Sequence, residues 1–382
     1  MAYDIIIIGG GPSGLSTALH LQRIAPHLAS RTLLLEKEHY PRPKLCAGGL
    51  TLDAENILAH LDLDLNEVPH VFANAVHFDF ESSGLTLRNP KRPPLRIIRR
   101  DEFDNWLAEK AKSRGLEIRE GIQVKNIIPD SSGVTVETDQ GIFLAQVVVG
   151  ADGSNGITRR CIFPRALVYT ARVLEIITPP DASESKSSRE GGAFFDFSPV
   201  PENIAGYVWD FPTQIKGMPM RCWGIYDTNI LASEKRPPLR EPLAREMTRL
   251  GLDLNQYEIK GHPIRWFSPE NKMAVPRVLL VGDAAGADPI FGEGISIALG
   301  YGLVAAGEIS ESFQRGGFSF RKYRQRVLRS GLGQSLIVRW FIAYIIYPVK
   351  WRWFQILLWR FLKPIVLLVA WIFVLNWSKR IT

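Results

Sequence analysis

Residues 3–14 read Tyr3-Asp4-Ile5-Ile6-Ile7-Ile8-Gly9-Gly10-Gly11-Pro12-Ser13-Gly14. Four consecutive isoleucines, β-branched and closed by glycine, predict a short strand buried on both faces. Pro12 suits the first turn of a helix, and Leu15 and Leu19 then recur at helical spacing as far as Arg23. Between strand and helix lies Gly9-x-Gly11-x-x-Gly14. Glycines there permit a tight turn and close backbone approach to a pyrophosphate, whose charge the helix N-terminus attracts. The next apolar run, Thr32 to Leu35, ends at Glu36, an acceptor for ribose hydroxyls. Strand, helix, strand and acid together predict an α/β dinucleotide-binding unit, whereas the glycine pattern alone would be weak.

Two later segments repeat the design. Gln146 to Gly150 reads as a buried strand followed by Ala151-Asp152-Gly153-Ser154, and Val278 to Val281 as another followed by Gly282-Asp283-Ala284-Ala285-Gly286. Helices are predicted over 101–113 and 294–312, and strands over 71–80 and around Pro129 between 116 and 138. Pro41 to Gly49 reads as a loop. The segments 167–177, 193–197 and 207–211 alternate polar and apolar residues, as antiparallel strands do. Asp181 to Glu190 is a polar loop.

Composition narrows the class. The chain has 382 residues, 46% apolar and 22% charged, which excludes a disordered or collagen-like protein. Cys46, Cys161 and Cys222 are too few and too scattered for a disulfide framework or a zinc site, so no metal is expected. The first strand has no basic lead-in and is not a secretory signal. Charge is uneven. From Arg315 onward there are thirteen Lys or Arg, no acid, and six of the ten tryptophans. Long apolar runs interleave with these cations, which argues against a nucleic-acid partner and for an anionic lipid surface. The longest charge-free run, Pro364 to Ser378, is shorter than the ~20 residues of a straight transmembrane helix. Monotopic attachment is therefore favoured over a single C-terminal span.

The glycine motif and the two Asp-Gly and Gly-Asp motifs, in this order, resemble the FAD-containing aromatic hydroxylase superfamily. Two more segments, Lys44-Leu45-Cys46-Ala47-Gly48-Gly49 and Tyr207-Val208-Trp209-Asp210-Phe211-Pro212, resemble the geranylgeranyl reductases within it, over roughly residues 3–315. Ala47 departs from the glycine many relatives carry. The resemblance implies an FAD cofactor held by Gly9, Gly11, Ser13, Gly14, Glu36, Lys44 to Gly49, Arg100, Val124, Asp152, Gly153, Gly282, Asp283, Pro289, Gly292, Gly294 and Ile295. Asp283 would bind the ribityl chain. It further implies hydride delivery from flavin N5 to an isoprenoid double bond, with Cys46, Tyr207 and Trp209 beside the reacting atoms. Cys46 reads equally as a proton donor, a substrate-positioning group or a small packing residue. Tyr207, Trp209 and Phe211 share one strand face, as tunnel wall or as core. The electron donor is NADPH or ferredoxin. A flavin monooxygenase or epoxidase acting on an apolar substrate is the alternative, and the oligomeric state is not readable.

The expected architecture is a Rossmann-type FAD-binding domain (1–70, 96–164, 270–315) with an inserted antiparallel-sheet substrate domain (71–95, 165–269). A helical, membrane-associated module (316–382) follows, holding the FAD-binding body on the cytoplasmic face of a membrane. On this reading a chain cut near Ser330 would stay folded, become soluble and keep its FAD.

Overall fold

The computed structural model describes residues 2–81, 83–89, 91–166, 169–180, 191–230 and 236–380. The polar stretch Asp181 to Glu190 lies outside the described residues. The Ile5–Ile8 run is the centre of a largely parallel sheet, strand Ala2–Ile8, flanked by Gly141–Gly150 on one side and Thr32–Leu35 on the other. Val278–Leu280 and Glu117–Arg119 extend the sheet outward. Register fixes the site. Ile8 lies opposite both Gly150 and Leu35, and Gly150 opposite Leu280. The residues that follow these strands, Gly9, Glu36, Ala151 and Val281, therefore emerge along one carboxyl edge, where ligands of such sheets bind. Helices Pro12–Ile24 and Ile295–Arg315 cover one face together.

A second sheet runs in the order Lys260–Arg265, Thr170–Thr178, Met218–Asp227, Gly206–Ile215, Gly192–Asp196, Ala75–Phe80, Ser83–Leu87. Its pairs are antiparallel except Gly192–Asp196 with Ala75–Phe80. The single strand expected over 71–80 is in fact two. The break falls at Asn74, whose N–H is taken by the Gly191 carbonyl at 2.7 Å, and His70–Ala73 turns away to pair with Leu95–Ile98 in a small third sheet.

The C-terminal region departs most from expectation. Helices Tyr323–Arg329 and Gly331–Ile346 are followed by Arg352–Phe361 and Lys363–Ile372, which bend 76° against each other. The region is not a separate module. Trp377 is fully buried in the same core as the Ile295–Arg315 helix, and Asp53 accepts from the N–H groups of Asn376 (3.0 Å) and Ser378 (2.8 Å). Several of its cations serve the body rather than a lipid surface. Arg326 pairs with Glu308 and Glu311, and Arg352 with Glu81. The outward side is another matter. Phe361 is 71% exposed, Trp371 66% and Trp351 64%, with Trp353, Ile365 and Leu368 exposed beside them. Among the described residues no single helix is long and apolar enough to cross a membrane.

Candidate active site: a nucleotide cradle continuous with an aromatic chamber

One cavity of about 850 Å³ runs along the carboxyl edge of the parallel sheet and on to the second sheet. Its nucleotide end is lined by Gly9, Gly11, Ser13, Glu36, Val124, Asp152 and Gly153. Gly14 sits behind it. A Cβ there would lie 2.1 Å from the Gly9 carbonyl oxygen, so only glycine lets the helix start abut the strand end. Glu36, nearly fully buried, accepts from the Gly10 N–H (2.8 Å) and the Glu38 N–H (3.1 Å), which aims its carboxylate at the glycine turn. Asp152 holds the start of the Ile157–Ile162 helix through Thr158 N (2.8 Å) and Oγ1 (2.9 Å), and its other oxygen, Oδ1, is buried without a partner.

The middle of the cavity is framed by the Lys44–Gly49 loop, Arg100 and Asp283. Arg100 is held by Asp104 through two 2.8 Å hydrogen bonds, and burial, which would lower its pKa, is outweighed by that carboxylate. Burial raises the Asp283 carboxyl; Lys44, Arg100 and a 3.3 Å hydrogen bond from Ser154 act the other way. Gly292, Gly294 and Ile295 line the same stretch, at the N-terminus of the Ile295–Arg315 helix. Gly282 and Pro289 do not reach the cavity: Gly282 packs against Ser13, and the Pro289 carbonyl accepts from Tyr226 OH at 3.1 Å.

The far end is aromatic. Tyr207, Trp209 and Phe211 all face the cavity from one side of the Gly206–Ile215 strand, joined by Phe78, Phe195 and Phe291. Cys46 lies half-buried at the junction. Its Sγ accepts from Gly48 N at 3.4 Å, and burial raises the thiol pKa, which keeps it protonated.

Three contributors escaped the sequence reading. Arg42, in the proline-rich loop, bridges Glu36 (3.4 Å) and Asp104 (3.2 Å) and so ties the end of the Thr32–Leu35 strand to the Arg100–Ser113 helix. Glu175, on the Thr170–Thr178 strand, enters the cavity wall beside Cys46. Arg339, from the Gly331–Ile346 helix, is 1% exposed and reaches Asp288 (2.7 Å) and Glu293 (2.6 Å) on the loop before the Ile295–Arg315 helix. That loop is clamped further by Thr51 to Glu293 (2.8 Å), Tyr207 to the Phe291 carbonyl (2.5 Å) and Tyr347 to the Ile290 carbonyl (2.7 Å). Burial raises Asp288 despite Arg339. Glu293 feels the same burial but is held below its usual value by Arg339 and by hydroxyls of Ser296 and Thr51.

The residues present fit an FAD. The glycine cradle leaves backbone exposed for a pyrophosphate, Glu36 and the unpartnered Asp152 Oδ1 are acceptors for hydroxyls, Arg42, Lys44 and Arg100 supply positive charge, and the cavity continues into apolar space.

The comparisons agree. The model of the family described as "FAD binding domain" matches residues 2–300. An uncharacterized protein of Methanosarcina barkeri is 32% identical over 338 residues, 86% of this chain and 80% of that one. A digeranylgeranylglycerophospholipid reductase of Thermoplasma acidophilum is 27% identical over 353 residues, 85% and 83% of the two chains. Among solved structures, a geranylgeranyl bacteriochlorophyll reductase-like protein of T. acidophilum superposes with a TM-score of 0.75 at 22% identity, covering 99% of this chain and 98% of that one. The nucleotide motifs and the match across 2–300 thus converge: the chain belongs to the FAD-binding-domain family of oxidoreductases, and its relatives include geranylgeranyl reductase-like members.

Proposed function

We propose that the protein reduces carbon–carbon double bonds of an isoprenoid lipid while seated on the cytoplasmic face of a membrane through its C-terminal helices. The observation that carries this reading is the continuity of one cavity from the glycine cradle to the aromatic face of Tyr207, Trp209 and Phe211. A polyprenyl chain has nothing to hydrogen-bond, so its recognition must come from apolar walls and shape, which these rings supply. Reduced FAD, when bound, supplies the hydride. Gly9, Glu36, Arg100 and Asp283 would hold the cofactor, and Cys46 with Gly48 and Gly49 lines the cavity between that end and the aromatic end. The aromatic chamber excludes water from the reacting bond. Both NADPH and ferredoxin suit the reading as the ultimate electron source.

Membrane seating rests on the exposed Trp351, Trp353, Phe361, Ile365, Leu368 and Trp371. An apolar surface of this kind, studded with tryptophan, preceded by Lys350 and interrupted by Lys363, fits the interfacial zone of a bilayer. Val374 and Leu375, which directly follow this stretch, line the cavity, so a lipid-borne chain has a short path inward.

The test is direct. Purified protein loaded with FAD, reduced by dithionite under argon, is given geranylgeranyl lipid in vesicles, and the lipid is weighed by mass spectrometry. Products gaining two hydrogens per reduced bond are expected. No reduced lipid under argon, with oxygenated lipid formed in a parallel run in air, would overturn the reductase reading in favour of a monooxygenase.

A further inference from the structure

The strand Thr170–Thr178 turns Val173 and Glu175 toward the cavity. An apolar residue would suit position 175, yet the chain places a carboxylic acid there, 4% exposed. Its Oε1 accepts from the Cys46 backbone N–H at 3.3 Å. Its Oε2 is buried with no partner. The sheet register sets Glu175 opposite Gly224 on one side and Lys260 on the other. Gly224 in turn lies opposite Trp209, and a Cβ on it would come 2.1 Å from Trp209 Cζ2. The missing side chain lets the indole lie across the row toward Glu175.

The groups around the carboxyl do not compensate it. Cys46 faces it from the loop, Cys222 from the Met218–Asp227 strand, Lys260 from the Lys260–Arg265 strand and Arg99 from the head of the Arg100–Ser113 helix, while His262, opposite Val173, lines the same cavity. Burial outweighs the Cys46 hydrogen bond and the more distant Arg99 and Lys260, and pushes the acid up to about 7. His262 is itself held neutral by burial, near 4.

We propose that Glu175 is the acid that supplies the proton of the reduction, a role that rests on the reductase reading above. One alkene carbon accepts the hydride delivered from reduced FAD. The π pair of the alkene forms the second C–H bond with the proton of Glu175 Oε2, and that O–H bond breaks to leave a carboxylate. The alkene is reduced, the cofactor is oxidised, and a solvent proton reloads Glu175. Positive charge developing at the branched carbon meets the ring faces of Tyr207 and Trp209. Cys46 then acts as a positioning residue, because its N–H occupies Oε1 and leaves the proton on Oε2.

Three variants test this: Glu175→Gln, Glu175→Asp and Cys46→Ala. Infrared difference spectra of the protein without substrate should show a protonated carboxyl band lost between about pH 6 and 8, absent in Glu175→Gln and retained in Cys46→Ala, whose backbone N–H is intact. Glu175→Gln should retain FAD, while reoxidation of its pre-reduced flavin by isoprenoid lipid under argon should slow by about a hundredfold or more. Wild-type reoxidation should fall as pH rises through about 7, with the residual Glu175→Gln rate flat. Glu175→Asp should recover part of the rate. A Glu175→Gln protein that keeps the wild-type rate and pH profile sinks the assignment alone. A wild type that binds FAD but reduces no isoprenoid alkene sinks the reductase reading, and this proposal with it.

Discussion

Glu175 and the Gly9–Gly14 turn mark two extremes of what single residues disclose. The glycines, Glu36 and Asp283 were legible because their meaning is local: a strand end, a turn and a helix start within a few positions of each other. Glu175 was not, because an acid in an alternating strand looks like a residue facing water. Only the neighbouring strands at Gly224 and Lys260, distant in sequence, together with the Cys46 loop, bury it. Arg42 was hidden likewise, since its partners lie far apart in sequence, Glu36 just after the Thr32–Leu35 strand and Asp104 on the Arg100–Ser113 helix. Burial of Glu175 carries a pH signature. Burial pushes its folded-state pKa up to about 7, above the ordinary glutamate value of 4.5, so the folded state binds the proton more tightly. The stability this provides is fully present below about pH 4.5 and is lost as pH rises through 7, on the order of 3 kcal/mol in all. Urea midpoints of Glu175→Gln should therefore drop less than wild type between about pH 5 and pH 8. Equal drops would mean that the carboxyl titrates normally.

Among elements, the Gly331–Ile346 helix carries more than its apolar, cation-interrupted sequence suggested. The sequence foretold the strands and helices whose periodicity is regular, and missed the break at Asn74, which depends on a distant carbonyl at Gly191. It also treated the Trp-rich helices as an appendage, because apolar runs with interspersed cations match a lipid surface equally well. One of those cations, Arg339, instead neutralises the loop before the Ile295–Arg315 helix. Arg339→Ala leaves Asp288 and Glu293 buried without their counter-ion, and should cost about 3–5 kcal/mol. Loss of retained FAD should accompany it, since the same loop ends in Gly292 and Gly294 at the cavity wall. Arg352→Ala, which breaks an exposed pair with Glu81, should leave the denaturation midpoint and the FAD content unchanged. Comparable losses in both variants would remove Arg339 from its structural role.

For the molecule as a whole, the exposed tryptophan-bearing surface and the residues that tie it into the body alternate along the same C-terminal helices, so a cut cannot separate them. Ending the chain near Ser330 removes Trp377 from the core, Arg339 from Asp288 and the N–H donors of Asn376 and Ser378 from Asp53. The truncated chain should misfold rather than yield a soluble flavoprotein. Surface substitutions separate the functions instead. Replacing Trp351, Trp353, Phe361 and Trp371 with serine should keep FAD bound yet weaken flotation with anionic vesicles by tenfold or more, at roughly 1.5–3 kcal/mol per fully buried large apolar side chain. High salt alone should not release the wild type, because apolar transfer survives screening. Unchanged flotation of the quadruple variant would exclude this surface as the membrane contact.

The Arg339 bridge also imposes an order on biosynthesis. Asp288 and Glu293 leave the ribosome 51 and 46 residues ahead of the guanidinium that neutralises them. Until then the loop at the cavity wall carries two carboxylates that cannot enter an apolar interior. A nascent chain halted before Arg339 therefore has its glycine cradle complete but its cofactor pocket open on one side, and flavin capture is expected to follow translation rather than accompany it.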